Sequence, residues 1–465
     1  MNTRALASMA GMLVLLSACT DQSSQSSPLA PVEAFHQTNA SGVVTPDSVR
    51  RLAASRGVLA LPPQPQVRPA LVKLGQALAF DPVLSGNRNI ACMTCHLTSF
   101  ATGDGKSLSV GEGGSEFGPT REHPNGVFIA RNAPPLFNLG AMRHLFWDGR
   151  VELDDHGAVH TPAGPAVTAA MASVFEFGPV SAIGLMPVTN RAEMLGQSQG
   201  AKRENELAHL ADNDFAGIWA GLMRRLGAIP EYRGLFEAAY PGTRFDEMTF
   251  AHASNAIGGF LVDQLTFTNS PWDRFLAGNS RALSQRQLDG AQTFLTLKCS
   301  LCHTGATFSD EKFHDVAVAQ VGPGEGDGAS TRDDFGRMRV TGLDADRYLF
   351  RTTPLRNVEL TGPYGHDGAI TSLRAFVEHY SESDKKLLAF DPSSLESALR
   401  LTVLPTTMEI LAQRDTIISG VVLTPDLVEK LMDYMLALTD PTSRNLAKLV
   451  PERVPSRLPM APGRP

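Results

Sequence analysis

Two short cysteine–histidine motifs carry the most chemical information in this sequence. Residues 92–96 read Cys-Met-Thr-Cys-His, and residues 299–303 read Cys-Ser-Leu-Cys-His. In a CxxCH pentad each thiol can add to one vinyl group of a porphyrin, and the imidazole that follows can bind the iron as its proximal ligand. The sequence therefore predicts two covalently bound c-type haems. The predicted attachment cysteines and proximal ligands are Cys92, Cys95, Cys299, Cys302, His96 and His303.

Other uses of paired cysteines fit less well. Zinc ribbons place their two pairs about 15–20 residues apart, whereas these pentads begin at residues 92 and 299 and each continues directly into His. A redox dithiol of the thioredoxin type would lie beside a βαβ pattern, which the sequence lacks. Because the pentads are so far apart, we expect each to lie in a haem domain of its own.

Helical segments are predicted around both pentads. Residues 71–80 form a short apolar helix before the first pentad, and residues 284–297 lead into the second. Apolar residues spaced by three and four predict further helices, within 205–226, 246–266 and 424–438. Residues 97–145 are rich in Gly, Pro and Asn and are predicted to be loop. The predicted fold is mainly α, with two cytochrome c-like haem domains packed together and long loops.

The N-terminus predicts export. Arg4 precedes the apolar run Ala5–Leu16, which is too short to span a bilayer but fits a secretory signal. The run ends in Leu-Ser-Ala-Cys, which resembles a bacterial lipobox, so we predict a lipoprotein signal over 1–19 and a lipid on Cys19. An ordinary signal peptide is the alternative. Because cytochrome c maturation also takes place outside the inner membrane, we expect a periplasmic protein anchored to the outer membrane of a Gram-negative bacterium.

Composition sets the remaining boundaries. Residues 20–65 are rich in Ser, Pro, Gln and Thr and are predicted to be a flexible tether. An N-terminal haem domain over 66–270, a C-terminal haem domain over 271–440 and a Pro-rich, partly frayed tail over 441–465 follow. Residues 151–183, low in charge and dense in Ala, Gly and Pro, are predicted to be an insertion. The net charge of -7 argues against nucleic acid as a partner.

Longer motifs resemble the bacterial dihaem cytochrome c peroxidases and their MauG-type relatives. Those in the first half are Leu74-Gly75, Phe80-Asp81-Pro82, Leu84-Ser85-Gly86, Arg131-Asn132-Ala133-Pro134 and Phe146-Trp147-Asp148-Gly149-Arg150. Those in the second half are Phe313-His314, Arg337, Val340-Thr341-Gly342, Thr353-Pro354-Leu355-Arg356-Asn357 and the run from Leu360 to Gly368. The match runs from about 70 to 440, and the segment 151–183 departs from it. The resemblance implies that the N-terminal haem reacts with peroxide and the C-terminal haem handles electrons.

The resemblance also implies the distal ligand of the second haem. Most peroxidases of the family place a Met at a fixed distance after a Pro-Tyr-x-His-Asp-Gly motif, whereas MauG-type enzymes place a Tyr there. An ungapped count from Pro363 puts Tyr380 at this position. A phenolate stabilises higher iron oxidation states, whereas a thioether raises the potential. A surface Tyr is the alternative, and Met408 or Met432 would ligate if the alignment slips.

Two catalytic roles are implied in the same way. Residues 187–194 resemble the family's stretch that carries the Glu of peroxide cleavage, so Glu193 would act first as base and then as acid. The alternative is a surface Glu paired with Arg191, and Ile183 stands where the family has an assisting Gln. Trp147 corresponds to the Trp that relays electrons between the haems, with a buried core Trp as the alternative.

The open side of the first haem and a cation site complete the resemblance. Most members carry a distal His in a Gly-His step, where this sequence has Gly111-Glu112. We therefore expect an open or water-filled sixth position on the N-terminal iron, with His123 exposed to solvent. The family also holds a calcium ion between the two domains. The matching oxygen donors are Asn132, Thr361 and Pro363.

Three functions are compatible with these observations. The first is a periplasmic oxidoreductase that reduces hydrogen peroxide with electrons from a small redox protein. The second is MauG-type oxidation of side chains on a partner protein, which Tyr380 favours. The third is a dihaem electron carrier without catalysis. Membrane contact is expected only through the lipid anchor.

Overall fold

The computed structural model of the protein describes residues 43–197 and 205–461. The predicted signal peptide, Cys19 and the first half of the predicted tether lie outside the described residues. Helices dominate the described ranges and strands are short. No helix within these ranges is long and apolar enough to cross a membrane.

Fifteen α-helices and five short strands make up the regular structure of the described residues. The helices are α1 (Pro46–Ser55), α2 (Pro69–Phe80), α3 (Cys92–Cys95), α4 (Ala169–Ala172), α5 (Phe215–Gly227), α6 (Pro230–Ala239), α7 (Phe250–Gln264), α8 (Pro271–Leu276), α9 (Gln285–Thr296), α10 (Cys299–Cys302), α11 (Met338–Thr341), α12 (Leu373–His379), α13 (Ser383–Leu388), α14 (Thr407–Gln413) and α15 (Pro425–Ala437). The strands are β1 (His144–Leu145), β2 (Val151–Leu153), β3 (Val159–His160), β4 (Phe313–His314) and β5 (Phe350–Arg351). Strands β1, β2 and β3 form one antiparallel sheet, and β4 pairs with β5.

The first large core cluster, the N-terminal core, is built mainly on α2 and α7. Leu71, Leu74 and Leu78 lie on one face of α2 and are fully buried because their spacing of three and four returns to the same side of a helix. Gly75 permits the close approach of the helices, since a Cβ there would lie 1.9 Å from the Ala256 carbonyl oxygen. The predicted helices at 71–80 and 246–266 are confirmed by α2 and α7.

The second large cluster, the C-terminal core, is built on α9 and α15. These helices confirm the predictions at 284–297 and 424–438. Helix α1 also belongs to this core, because it packs on α9 and buries Val49 and Ala53 completely. The prediction of a flexible tether is therefore wrong for residues 46–55. Thr45 caps this helix and Pro46 occupies its first turn, two local start signals that the Ser- and Pro-rich composition obscured.

The C-terminal tail returns to the N-terminal core. Leu446, Leu449 and Val454 are buried there. The Ser456 hydroxyl donates a hydrogen bond to Asp81 Oδ1 at 2.5 Å. The described residues 441–461 of the predicted Pro-rich, partly frayed tail are therefore packed on the protein, because their scattered apolar side chains find a buried partner surface.

The predicted insertion contains two kinds of structure. Its first part includes β2 and β3, which extend the sheet begun by β1. Its last part enters the 3₁₀ helix Gly178–Leu185, where Val180 and Ala182 are fully buried against α7. The segment therefore ends inside the N-terminal core.

Candidate functional site

Both pentads fold into one helical turn. Helices α3 and α10 begin at the first cysteine and end at the second, and the amide of the following His donates back to the first cysteine's carbonyl oxygen. One turn places residues three apart on the same side. Each cysteine pair and its His can therefore reach one flat group.

The two imidazoles are held in the same way. His96 Nδ1 lies 2.8 Å from the Thr102 carbonyl oxygen, and His303 Nδ1 lies 3.0 Å from that of Phe308. A carbonyl oxygen can only accept, so Nδ1 carries the proton and Nε2 is left to bind a metal. Burial lowers the pKa of both rings, which keeps them neutral as a metal ligand must be.

The four pentad cysteines are available for thioether formation. All four are free thiols. Burial raises the pKa of Cys92 to about 11 and that of Cys299 to about 12, so neither is a thiolate at neutral pH.

A large cavity, the C-terminal cavity, opens beside the second pentad. Its walls include Cys299, Cys302 and His303. The remaining wall is mainly apolar and includes Phe294, Leu355, Phe376, Val377, Leu431 and Met435. Apolar walls around one imidazole and two thiols fit a covalently bound porphyrin.

Tyr380 lies on the wall of the same cavity, directly after α12. Burial raises the pKa of its phenol well above the usual range. A phenolate there would therefore need a cation beside it, a requirement that an iron ion would meet. The structure thus brings Tyr380 and His303 to one cavity, as the resemblance implied.

Neither alternative methionine fits. Met408 is 68% exposed, and Met432 is not among the residues that line the C-terminal cavity. Met435 does line it, because it follows Leu431 by one turn on the apolar face of α15. Sequence reasoning missed this residue, although the spacing of four was a usable signal.

Trp147 reaches the C-terminal cavity from the N-terminal half. Its indole Nε1 donates to the Asn132 carbonyl oxygen at 2.9 Å, and its own carbonyl oxygen accepts from the Arg351 amide at 2.9 Å. The residue is buried, with a satisfied indole N–H, as the core-Trp alternative also requires. Its position on the cavity wall is the additional feature that a relay needs.

The residues matched to the calcium site also meet at this cavity. Asn132, Thr361 and Pro363 all line it. The Asn132 side-chain amide donates to the Lys106 carbonyl oxygen at 3.0 Å, and the Thr361 hydroxyl donates to that of Val358 at 3.1 Å. Carbonyl and hydroxyl oxygens from separate segments are the kind of donor that calcium accepts.

Glu193 lies at a second, polar cavity. It belongs to the short π-helix Arg191–Leu195, whose first amides donate to Asn190 Oδ1. Isolated π-turns of this kind are frequent at functional sites. The polar cavity is lined by Asp148, Arg150, Glu152, His160, Thr161, Pro162, Met186, Thr189, Asn190, Arg191, Glu193, Asp212, Glu325, Arg339 and Val340.

The surroundings of Glu193 raise the pKa of its carboxyl above the usual range. Burial raises the pKa of its carboxyl and Glu325 raises it further, while Arg150 opposes the rise. The alternative pairing with Arg191 is wrong, because that guanidinium binds Asp212 at 2.5 Å. Glu193 in turn raises the pKa of Cys92, so the carboxyl acts electrostatically on the first pentad.

The loop after the first pentad offers no imidazole at the predicted step. Glu112 Oε1 instead accepts hydrogen bonds from the amides of Asn87 and Asn89. The His123 ring accepts from the Asn125 amide within a local turn and is only half-buried. Ile183 packs against the N-terminal core, so no amide occupies the place of the family's assisting Gln.

A carboxylate–imidazole cluster beside the second pentad was not predicted. His314 lies 3.1 Å from Asp310 Oδ2 through Nε2 and 2.5 Å from Asp415 Oδ2 through Nδ1. Burial opposes protonation, but hydrogen bonds to Asp310, the Cys302 thiol and Asp415 together raise the pKa of His314 to about 11. Cys302 lies in the same group and is committed to thioether formation in the predicted chemistry, so we interpret the cluster as an ion-paired imidazolium.

Comparison with known proteins agrees with this geometry. Residues 69–281 match the family described as di-haem cytochrome c peroxidase. The cytochrome c551 peroxidase of Pseudomonas aeruginosa is 29% identical over 348 residues, which cover 75% of this chain and 79% of the relative. The methylamine utilization protein MauG of Methylorubrum extorquens is 28% identical over 381 residues, which cover 79% of this chain and 87% of that protein.

Solved structures show the same fold. A MauG-like protein associated with microbial copper homeostasis superposes with a TM-score of 0.58 at 23% identity, covering 84% of this chain and 97% of that one. The diheme peroxidase BthA of Burkholderia thailandensis gives a TM-score of 0.56 at 18% identity, covering 86% of this chain and 91% of that one. The family that residues 69–281 match implies two haem c groups. The chain is an oxidoreductase that is similar to the bacterial dihaem cytochrome c peroxidases and to MauG.

Proposed function

We propose that the protein is a periplasmic dihaem peroxidase that reduces hydrogen peroxide to two waters with two electrons from an external cytochrome c-type donor. The observation that carries the proposal is the position of Glu193, a carboxyl at a polar cavity that acts electrostatically on the first pentad. The bound haems would supply the iron at which peroxide is cleaved and the centre through which electrons arrive.

Glu193 would move the proton that cleavage requires. As a base its carboxylate takes the proton from the inner peroxide oxygen, and as an acid it returns that proton to the outer, leaving oxygen. The polar cavity gives this carboxyl access to small polar molecules. Arg150, which lines the same cavity, favours the ionised form that must act first.

Trp147 would connect the two halves. Its ring lies on the wall of the cavity that holds His303, and its backbone accepts from strand β5 of the C-terminal half. An indole fixed at both its N–H and its backbone keeps one position, as electron relay requires.

A MauG-type activity is the second candidate, and Tyr380 is the observation that favours it. Its position on the wall of the cavity that His303 also lines would suit an iron ligated by both, and a Tyr ligand would stabilise high oxidation states. The substrate would then be side chains on a partner protein. A lipid on Cys19 and a calcium ion on Asn132, Thr361 and Pro363 are further parts of the proposal.

Intact-mass and single-turnover measurements test the main proposal. The mature protein should carry the mass of two haems, and a lipid if Cys19 is modified. One equivalent of peroxide should oxidise two equivalents of a reduced small cytochrome. Loss of donor oxidation while peroxide still oxidises the protein would favour the MauG-type activity. A protein that does not react with peroxide in any redox state would refute both.

A further inference from the structure

One carboxyl group lies on the wall of the C-terminal cavity. Asp315 is 3% exposed and is the only Asp or Glu among the described residues that line it. Its Oδ1 accepts a hydrogen bond from the Ala317 amide at 2.7 Å, but its Oδ2 has no partner. A buried carboxylate with an unsatisfied oxygen is costly. The cost calls for a functional explanation because the same cavity holds His303.

The charged groups around Asp315 are committed elsewhere. Arg414 forms an ion pair with Asp384, and Asp415 binds His314. The other titratable side chains on the cavity wall are Lys298, Cys299, Cys302, His303, His314, Tyr348, Arg351, Arg356, Tyr364, His366 and Tyr380. None of them hydrogen-bonds to Asp315 Oδ2. Among the described residues, the Ala317 amide and the charge of Arg414 therefore compensate only part of a negative charge on Asp315.

The ionisation of this carboxyl is balanced near neutrality. Burial raises the pKa of Asp315 to about 7, and the Asp415 charge acts in the same direction. The Ala317 amide and Arg414 limit the rise. A change of one unit of charge in the cavity would therefore suffice to alter its protonation.

We propose that Asp315 takes up a proton when the iron bound by His303 gains an electron, and releases it when that iron is oxidised. This inference rests on the proposed function in requiring a redox-active haem at His303. The balance is simple: an external donor supplies one electron, water supplies one proton, and the carboxylate becomes a carboxylic acid. Asp315 would thus balance the charge of the C-terminal cavity without touching the reacting atoms, so it is not a catalytic residue.

Asp315 lies next to a partly exposed residue. The Asp315 carbonyl oxygen accepts from the Asp415 amide at 3.0 Å, so the two residues are adjacent. The Asp415 side chain is 29% exposed. Asp315 thus lies beside a solvent-connected carboxylate.

Redox titration of the complete holoprotein at several pH values tests the proposal. In the wild type, the midpoint potential of the C-terminal haem should fall with rising pH around neutrality, by up to about 59 mV for each tenfold change in proton concentration. Asp315→Asn should lose that slope. Asp333→Asn is the matched control, because Asp333 is also buried with a raised pKa but does not line the cavity, and it should keep the slope. Equal slopes in the wild type and Asp315→Asn would overturn the proposal.

Infrared difference spectra of the wild type provide a second test if the variant does not load haem. Reduction of protein labelled with ¹³C-Asp should produce a new, label-sensitive band of a protonated carboxyl group. Absence of that band would overturn the proposal. A haem at His303 with no one-electron transition would instead refute the proposed function, whereas a pH-independent transition would refute only the role of Asp315.

Discussion

The Trp147 indole nitrogen donates a hydrogen bond to the Asn132 carbonyl oxygen at 2.9 Å, which fixes an aromatic ring on the wall of the C-terminal cavity. Replacing the ring by one that is harder to oxidise should slow electron transfer between the halves. We expect Trp147→Phe to keep both haem spectra but to slow reoxidation of the C-terminal haem after peroxide addition, as measured by stopped-flow absorbance.

The control for this variant is Trp219→Phe. Trp219 is also buried and its Nε1 donates to the Leu185 carbonyl oxygen at 3.0 Å, but it does not line the C-terminal cavity. Both variants lose a buried indole, so equal slowing in the two would indicate a general packing effect and exclude a relay.

Substitution of Tyr380 should change the second iron alone. Tyr380→Phe removes the phenol oxygen and should give a high-spin signal in electron paramagnetic resonance. Tyr380→Met should raise the midpoint potential, because thioether favours ferrous iron. The wild type should react with peroxide in its fully oxidised state. A requirement for one added electron would contradict the ligand assignment.

Tyr364→Phe is the matched control for Tyr380. Tyr364 lines the same cavity, but its hydroxyl donates to the Val358 carbonyl oxygen at 2.8 Å. Its loss should leave the spin state of the iron unchanged. The same high-spin signal in both variants would show that the cavity, rather than one ligand, had been disturbed.

Glu193→Gln should reduce the rate constant for reaction with peroxide by about 10²–10⁴-fold, the usual contribution of a general acid–base group. Since the carboxyl must be ionised to act as a base and burial raises its pKa, the wild-type rate should fall on acidification at a higher pH than for an ordinary Glu. Rapid mixing across a pH series measures both effects.

The corresponding control is Glu152→Gln. Glu152 lines the same polar cavity but binds Arg337 at 2.7 Å. This variant should retain the wild-type rate and pH profile. A rate in Glu193→Gln equal to that of the control would remove Glu193 from the mechanism.

A buried ion cluster should make stability sensitive to acid. Arg131 binds Asp334 through two hydrogen bonds of 2.6 and 2.7 Å, and Asp148 at 2.6 Å. Although burial acts in the opposite direction, Arg131 lowers the pKa of both carboxyls. Their stabilising contribution is therefore present above the unfolded-state pKa of about 4 and is lost as pH falls below it.

Asp334→Asn should lower the free energy of unfolding at pH 7 by about 3–5 kcal/mol, because it removes one partner of a buried ion pair. Denaturant titration measures this change. Asp433→Asn, which removes the more exposed pair with Arg286, should cost less than about 1 kcal/mol. A similar loss of unfolding free energy in the two variants would contradict the inference that burial makes the Arg131–Asp334 pair more important for stability than the Arg286–Asp433 pair.

Local patterns in the sequence predicted the local structure. The pentads, α2, α9 and α15 follow from residue spacing within about fifteen positions, and the structure has them. The packing of the two chain ends could not be predicted. Helix α1 packs on the C-terminal core and residues 441–461 pack on the N-terminal core, so each end contacts the core that is remote from it in sequence. Composition suggested flexibility in both, while a few apolar side chains decided their positions.

In the candidate site, too, some residues could be predicted from local motifs and others could not. Tyr380 and Glu193 were predicted through motifs and are found at cavities. Asp315 has no motif, since its importance comes from a missing hydrogen-bond partner and from a wall that distant segments build together. Such a property arises only when the chain is folded.

His96 and His303 are anchored alike, each through Nδ1 to a neutral peptide oxygen. The two imidazoles should therefore push nearly equal electron density onto whatever they bind. Any functional difference between the two halves must then come from other residues. These are Tyr380 and Asp315 within the apolar C-terminal cavity, and Glu193 among the guanidinium groups of the polar cavity. Transplanting those surroundings, rather than swapping the pentads, is the alteration that would exchange the two roles.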